Sequence, residues 1–153
     1  MNLSQDFFLR CTNCLTKNRV PRNKIGTIAK CGRCQAAIET RELLQSTPIM
    51  VTDANFEETV VTSALPILMD CWATWCTACA ILSPILESLG REYKGRFRIA
   101  KLNVEANPIV TARYDLRSLP TLLIFDKGTL KDMLVGSLPK EHIIRQMSRF
   151  IDS

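Results

Sequence analysis

The second two-thirds of the chain alternates short apolar runs with segments of helical spacing, and the first third does neither. Ile49-Met50-Val51 reads as a short strand, and Asp53 is placed to cap a helix through about Thr62 that carries Phe56, Val60 and Val61. Pro66 to Trp72 has the continuous apolarity of a buried strand. A helix follows from Cys76 to about Tyr93, with Ile81, Leu82, Ile85, Leu86 and Leu89 at helical spacing and Pro84 expected to kink it. Arg98 to Val104 is a strand, Pro108 to Tyr114 a short helix and Thr121 to Asp126 a strand. Lys127-Gly128 is a tight hairpin turn, Leu130 to Val135 the return strand and Lys140 to Ile151 an amphipathic closing helix. The order βαβαβαββα describes an α/β fold with a mixed central sheet flanked by helices.

The chemistry is concentrated in cysteines. Of the seven in the 153-residue chain, Cys76 and Cys79 stand where a strand gives way to a helix, three residues apart, as a dithiol that can close into a disulfide. Cys11-Thr12-Asn13-Cys14 and Cys31-Gly32-Arg33-Cys34 form two C-x-x-C pairs with sixteen residues between them, the spacing of a four-cysteine zinc site. Between these pairs only Leu15, Val20, Ile25, Ile28 and a few small residues are available to bury, so metal binding has to supply the folding free energy, on the order of 10 kcal/mol. Gly32, and less readily Asn13, tolerates the positive φ that a knuckle demands. The alternative is a pair of redox couples or a disulfide staple, which suits a reducing compartment less well.

That compartment follows from the amino terminus: residues 1–10 lack the basic start and apolar stretch of a secretory signal, and no run spans a bilayer, so the expectation is a cytoplasmic protein without membrane association. Charge divides as the cysteines do. Residues 1–40 hold seven Lys or Arg against Asp6 and Glu39, which accounts for the whole net charge of +5. Four thiolates and one Zn²⁺ would offset part of this excess, and Phe7 and Phe8 are the only rings before residue 50, so the balance is against nucleic-acid binding and for a solvated basic face. From Gln35 to Pro48 the chain turns polar, consistent with a connector, giving residues 1–47 as a zinc-binding unit with linker and 48–153 as the second domain.

Residues 48–153 resemble the thioredoxin family along their whole length, through Asp70, Trp72-Ala73-Thr74-Trp75-Cys76, Pro84, Lys101-Leu102-Asn103, Leu119-Pro120-Thr121, Gly128 and Gly136. With a four-cysteine segment in front, the chain is similar to the zinc-containing bacterial branch of that family. The resemblance implies a thioredoxin fold and thiol-disulfide oxidoreduction: Cys76 attacks a protein disulfide, Cys79 resolves the mixed disulfide, and a thioredoxin reductase restores both thiols. It implies one structural Zn²⁺ and no bound organic cofactor.

Cys76 heads a helix, where unpaired N–H groups favour a thiolate. Asp70, a carboxylate in an apolar strand, should have a raised pKa; by resemblance it exchanges a proton with Cys79, with Lys101 as its ionic neighbour. The resemblance also implies a cis Leu119–Pro120 bond, exposing the Leu119 backbone to a substrate strand, with Trp75, Gly136 and the Ala78 region completing an apolar contact surface.

Three departures stand out. Thr77-Ala78 replaces the usual Gly-Pro, restoring a backbone N–H that could donate to the Cys76 sulfur; this argues for a potential above the roughly −270 mV typical of thioredoxin. Cys71 takes the place of the usual Phe as a small buried hydrophobe, and Ala80 replaces a frequent basic residue. Two further readings remain: a more oxidising oxidase or isomerase, and a zinc-anchored adaptor or chaperone that holds clients without turnover. The cysteine cluster could also serve as a redox switch that releases its metal on oxidation. His142, on the outer face of the last helix, receives no role.

Overall fold

The computed structural model describes residues 6–151; Met1–Gln5, part of the stretch read for a signal, lie outside the described residues. Two antiparallel hairpins come first: β1 (Phe7–Arg10) pairs with β2 (Lys17–Val20), and β3 (Ile28–Lys30) with β4 (Ala37–Glu39). A five-stranded sheet follows, built from β5 (Ile49–Val51), β6 (Ile67–Trp72), β7 (Arg98–Asn103), β8 (Thr121–Asp126) and β9 (Thr129–Val135) in the order β5-β7-β6-β8-β9. The first three strands are parallel, and β8 and β9 run antiparallel to their neighbours. Helices α1 (Thr77–Glu92), α2 (Pro108–Arg113) and α3 (Lys140–Ile151) complete the mixed α/β sandwich.

The sheet is buried on both faces, which is why its central strands read as unbroken apolar runs. Side chains alternate across β6: Ile67, Met69 and Cys71 join Val51, Phe56, Ala100, Leu102, Val110 and Phe125 on one side. Leu68 enters the opposite core with Leu82, Leu86 and Leu89 of α1 and Ile143 and Met147 of α3. The same period of two puts Asp70 on the α1 side and Cys71 on the other. Cys71 is fully buried, and burial pushes its thiol well above the ordinary range, consistent with a small hydrophobe. Lys127 and Gly128 both have positive φ (56° and 77°), the geometry of a two-residue hairpin turn, and a Cβ at Gly128 would lie 2.7 Å from the Val61 carbonyl oxygen.

Several expectations need correction. Asp53 does not cap the segment that follows it, which is a short, wide helical turn at Glu57–Val61. Its carboxylate instead accepts the amides of Ile109 (3.1 Å) and Val110 (2.9 Å), capping α2 more than fifty residues away. Ile81 lies on the outer face of α1 at 63% exposure.

In the amino-terminal unit Leu15 and Ile28 are solvent-facing, at 47% and 68%, while Leu9, Val20, Ile38 and Leu43 form the core. Positive φ falls not at Asn13 or Gly32 but at Leu15 (64°) and Gln35 (67°), the residue after each second cysteine. There the Leu15 and Gln35 amides close onto the carbonyls of Cys11 (2.9 Å) and Cys31 (3.0 Å), so the two knuckles are internal copies of one turn.

The stretch 35–47 is no polar connector. It contains β4 and a 3₁₀ turn at Thr40–Leu44, with Thr40 and Leu43 buried. Thr40 Oγ1 donates to Thr27 O (2.5 Å) and accepts Gly26 N–H (2.9 Å), tying the end of β4 to the link between the hairpins. Two of its polar residues reach the sheet domain: Glu42 Oε1 pairs with Arg98 Nη1 at 3.5 Å, and Glu42 Oε2 accepts Ala64 N–H at 3.1 Å. Gln45 Oε1 accepts from Arg98 Nη2 at 3.1 Å. Ala64 and Leu65 complete the amino-terminal core, and Phe7 packs so tightly on Gly95 that a Cβ there would come within 2.6 Å of its ring. The four-cysteine unit is thus docked on the sheet domain.

Candidate active site and metal centre

Cys76 is the N-cap of α1, in extended conformation (φ −90°, ψ 100°), and its sulfur accepts the Cys79 amide at 3.2 Å. One unpaired donor of the helix start is therefore spent on sulfur, which favours negative charge there. Cys76 and Cys79 are joined as a disulfide, with Cα atoms 5.3 Å apart. The donor is the Cys79 amide and not the Ala78 amide that the missing proline was expected to free. Any residue at position 78 leaves this bond in place, so it lends no support to an elevated potential.

The loop before the nucleophile is held by a residue that the sequence did not single out. Glu105, just past β7, accepts both the Thr74 amide and the Thr74 hydroxyl at 2.8 Å. These bonds, backbone first, hold the Glu105 carboxyl below its usual range. Trp75 stands next in the chain at 68% exposure, beside the two largely covered sulfurs. Leu119, preceding a cis bond to Pro120, packs against the cluster of Ala73, Cys76 and Cys79. Gly136 donates its amide to Pro120 O at 2.9 Å, and no side chain or backbone atom would meet a Cβ on it within 4 Å. Dithiol, cis-proline loop and Gly136 thus form one face with Trp75 at its rim.

A cleft of about 420 Å³ runs inward from this face, lined among others by Cys76, Cys79, Ser83, Pro84, Asp70 and Lys101. Asp70 is 1% exposed, and neither carboxylate oxygen has a hydrogen-bond partner among the described residues. Burial pushes its pKa up to about 6, against the opposing pull of Lys101. Lys101, expected as the ionic neighbour of Asp70, is its register neighbour across β6 and β7, but its ammonium does not close an ion pair: Nζ donates to Ser83 Oγ at 2.6 Å.

Cys11, Cys14, Cys31 and Cys34 form the second cluster, all four Sγ atoms lying within 4.8 Å of one another. The Cys11–Cys34 and Cys14–Cys31 sulfurs are 3.5 and 3.6 Å apart. A tetrahedron with bonds of about 2.3 Å needs edges of about 3.8 Å, so the arrangement fits a single metal ion. The knuckles also supply thiolate donors: the Asn13 and Arg33 amides reach Cys11 and Cys31 at 3.4 Å, and the Asn13 and Asn18 side chains reach Cys34 and Cys31 at 3.5 Å. Backbone donation from Cys34, then Arg33, lowers Cys31 to about 6, and the Asn13 side chain lowers Cys34. Cys11 is pushed up: the Cys14 amide works to lower it, but desolvation and the neighbouring thiols prevail. These are four thiols sharing protons where a cation would replace them.

This cluster lies at the far end of the sheet from the dithiol. The Cys11 knuckle borders Ser63, Lys127 and Gly128, beyond the start of β6 and the end of β8, whereas Cys76 follows the other end of β6, about 17 Å along the strand.

No helix among the described residues is long and apolar enough to cross a membrane. Residues 47–149 match the family profile described as Thioredoxin, and residues 10–36 the profile described as Thioredoxin 2, N-terminal. The chain is 38% identical over 108 residues to the thioredoxin of Synechocystis sp., covering 71% of this chain and 100% of that protein. It is 42% identical over 100 residues to the thioredoxin of Chlorobaculum thiosulfatiphilum (65% and 93% of the two chains). The thioredoxin of Rickettsia bellii is 39% identical over 101 residues (66% and 96%).

Proposed function

The chain belongs to the thioredoxin family and is a thiol-disulfide oxidoreductase, and from that premise we propose that it reduces disulfides of cytoplasmic proteins through Cys76 and Cys79, with a thioredoxin reductase as electron donor. One observation carries the assignment: the two sulfurs sit at the head of α1, where Cys76 Sγ accepts a helix amide, and share a cleft with the buried Asp70 carboxyl, whose oxygens have no hydrogen-bond partner among the described residues.

In the reduced protein the Cys76 thiolate attacks one sulfur of a substrate disulfide. A Cys76–substrate disulfide forms, and the first substrate sulfur leaves as a thiolate. Asp70 then accepts the Cys79 proton, and the Cys79 thiolate attacks Cys76 Sγ. The Cys76–Cys79 disulfide forms, the second substrate sulfur leaves, and two electrons have passed from the dithiol to the substrate. Lys101 adjusts the charge beside Asp70. Pro120 and Leu119 present backbone to an extended substrate segment, and Trp75 and Gly136 supply its apolar seat. In this reading the protein takes part in electron transport and cell redox homeostasis.

Residues 1–47 serve as a structural zinc unit and 48–153 as the catalytic domain. Zn²⁺ suits four clustered thiolates, and when bound it supplies folding free energy. Cys11, Cys14, Cys31 and Cys34 would hold it, with the Asn13 and Asn18 amides steadying the sulfurs.

The test is turnover of a protein disulfide such as that of insulin, driven by NADPH and thioredoxin reductase. Cys76→Ser is expected to abolish it, and Cys79→Ser to stall at a mixed disulfide. Undiminished turnover in Cys76→Ser would refute the assignment.

A further inference from the structure

Lys101 and Asp70 are register neighbours on adjacent strands, and both side chains lie on the α1 side of the sheet. An ammonium and a carboxylate so placed would ordinarily pair. They do not, because Ser83, one helical turn beyond Cys79, accepts the Lys101 ammonium at 2.6 Å. Both Asp70 oxygens are left without a hydrogen-bond partner among the described residues.

We propose that Ser83 is a positioning residue for Asp70: its hydroxyl holds the Lys101 ammonium on the helix side of the cleft and thereby sets how readily the Asp70 carboxyl takes up the Cys79 proton. The inference rests on the reading of Cys76, Cys79 and Asp70 given above and adds to it a control that sits on α1. Of the groups facing Asp70, β7 contributes Lys101, the start of α1 contributes Cys76 and Cys79, and β8 contributes the uncharged Leu122 at the same register. On β6 itself the adjoining Cys71 points to the opposite core. Lys101 is thus the cation facing Asp70 in the cleft, and its position decides the charge that Asp70 experiences.

If the serine hydroxyl is removed, Lys101 loses its acceptor and the Asp70 carboxylate becomes the nearest strong one. An opposite charge brought close stabilises the ionised carboxylate. The proton affinity of Asp70 then falls, and with it the capacity to act as base near neutral pH.

The experiment is carboxyl-carbon NMR titration of Asp70 in the full-length oxidised protein. Ser83→Ala is expected to lower the Asp70 midpoint, a loss of proton affinity of roughly tenfold. Ser83→Thr, which keeps the hydroxyl, should titrate like the wild type. In a Lys101→Met background Ser83→Ala should have no effect, because no ammonium remains to be released. An unchanged or raised midpoint in Ser83→Ala, or a lowering that persists without Lys101, would overturn the proposal. The titration requires no turnover, so its failure is separable from failure of the reductase assignment, which Cys76→Ser tests.

Discussion

Asp70 carries an electrostatic cost in the sheet domain, a carboxyl buried without a hydrogen-bond partner among the described residues. Burial raises the folded-state pKa of its carboxyl to about 6 against an ordinary value of 3.8. A carboxyl raised in this way contributes its full stability below the unfolded-state value and loses it as pH rises through about 6, when an ionised carboxylate must be kept in the cleft. Asp70→Asn is therefore expected to raise the unfolding free energy of the oxidised protein at pH 8 by about 2–3 kcal/mol, and by little at pH 4. Denaturant unfolding at the two pH values measures this, and equal gains at both would contradict it. The same variant should slow resolution of the mixed disulfide and spare its formation.

Glu105 acts through another residue. With its two bonds to Thr74 removed, the loop carrying Trp75 and Cys76 loses its anchor to the end of β7. Glu105→Ala is expected to slow the attack of Cys76 severalfold and to broaden the Trp75 indole resonance, whereas Glu105→Asp or Gln should recover part of the rate. Wild-type kinetics in Glu105→Ala would remove the positioning role.

At the scale of elements, α1 was legible in the sequence apart from Ile81, which was read into its apolar face and faces solvent. Its apolar spacing, the cysteine at its head and its end near Tyr93 all reflect local patterning, and the structure places it at Thr77–Glu92. The strands of the main sheet were legible for the same reason, being buried runs between turn residues.

The two amino-terminal hairpins were not, because three- and four-residue strands hold too few positions for alternation to show, and their small core is completed by Ala64 and Leu65 from the sheet domain. Nor could the sequence reveal that Asp53 caps α2, or that Ser83 rather than Asp70 receives Lys101, since both depend on contacts between distant segments. The polar residues of 35–47 read as linker because burial of Glu42 requires Arg98, fifty-six positions later, to be visible as its partner. Glu42→Ala, which leaves the largely buried Arg98 guanidinium with Ser63 and Gln45 alone, is expected to cost about 2 kcal/mol in thermal or chemical unfolding. A neutral result would mean that the docking contact is not maintained in solution.

Across the whole molecule, the four-cysteine cluster and the dithiol occupy opposite ends of one sheet, coupled through a shared core at Ala64 and Leu65 and the Glu42–Arg98 pair. This arrangement separates two chemistries that would otherwise interfere, since a thiol-disulfide couple beside four metal-binding thiolates would exchange with them. Removing the metal with a chelator is expected to lower the melting temperature and unfold residues 7–39 while changing the Cys76–Cys79 reduction potential little. A large shift in potential on metal removal would show that the two ends communicate.

The central claim, that Cys76 is the thiol that engages substrate, is tested most directly by reacting reduced, full-length Cys79→Ser with a disulfide-bearing protein and locating the adduct by peptide mass spectrometry. One substrate per chain, attached through Cys76, is the expected result; attachment through Cys71 or an amino-terminal cysteine, or no adduct at all, would contradict the account.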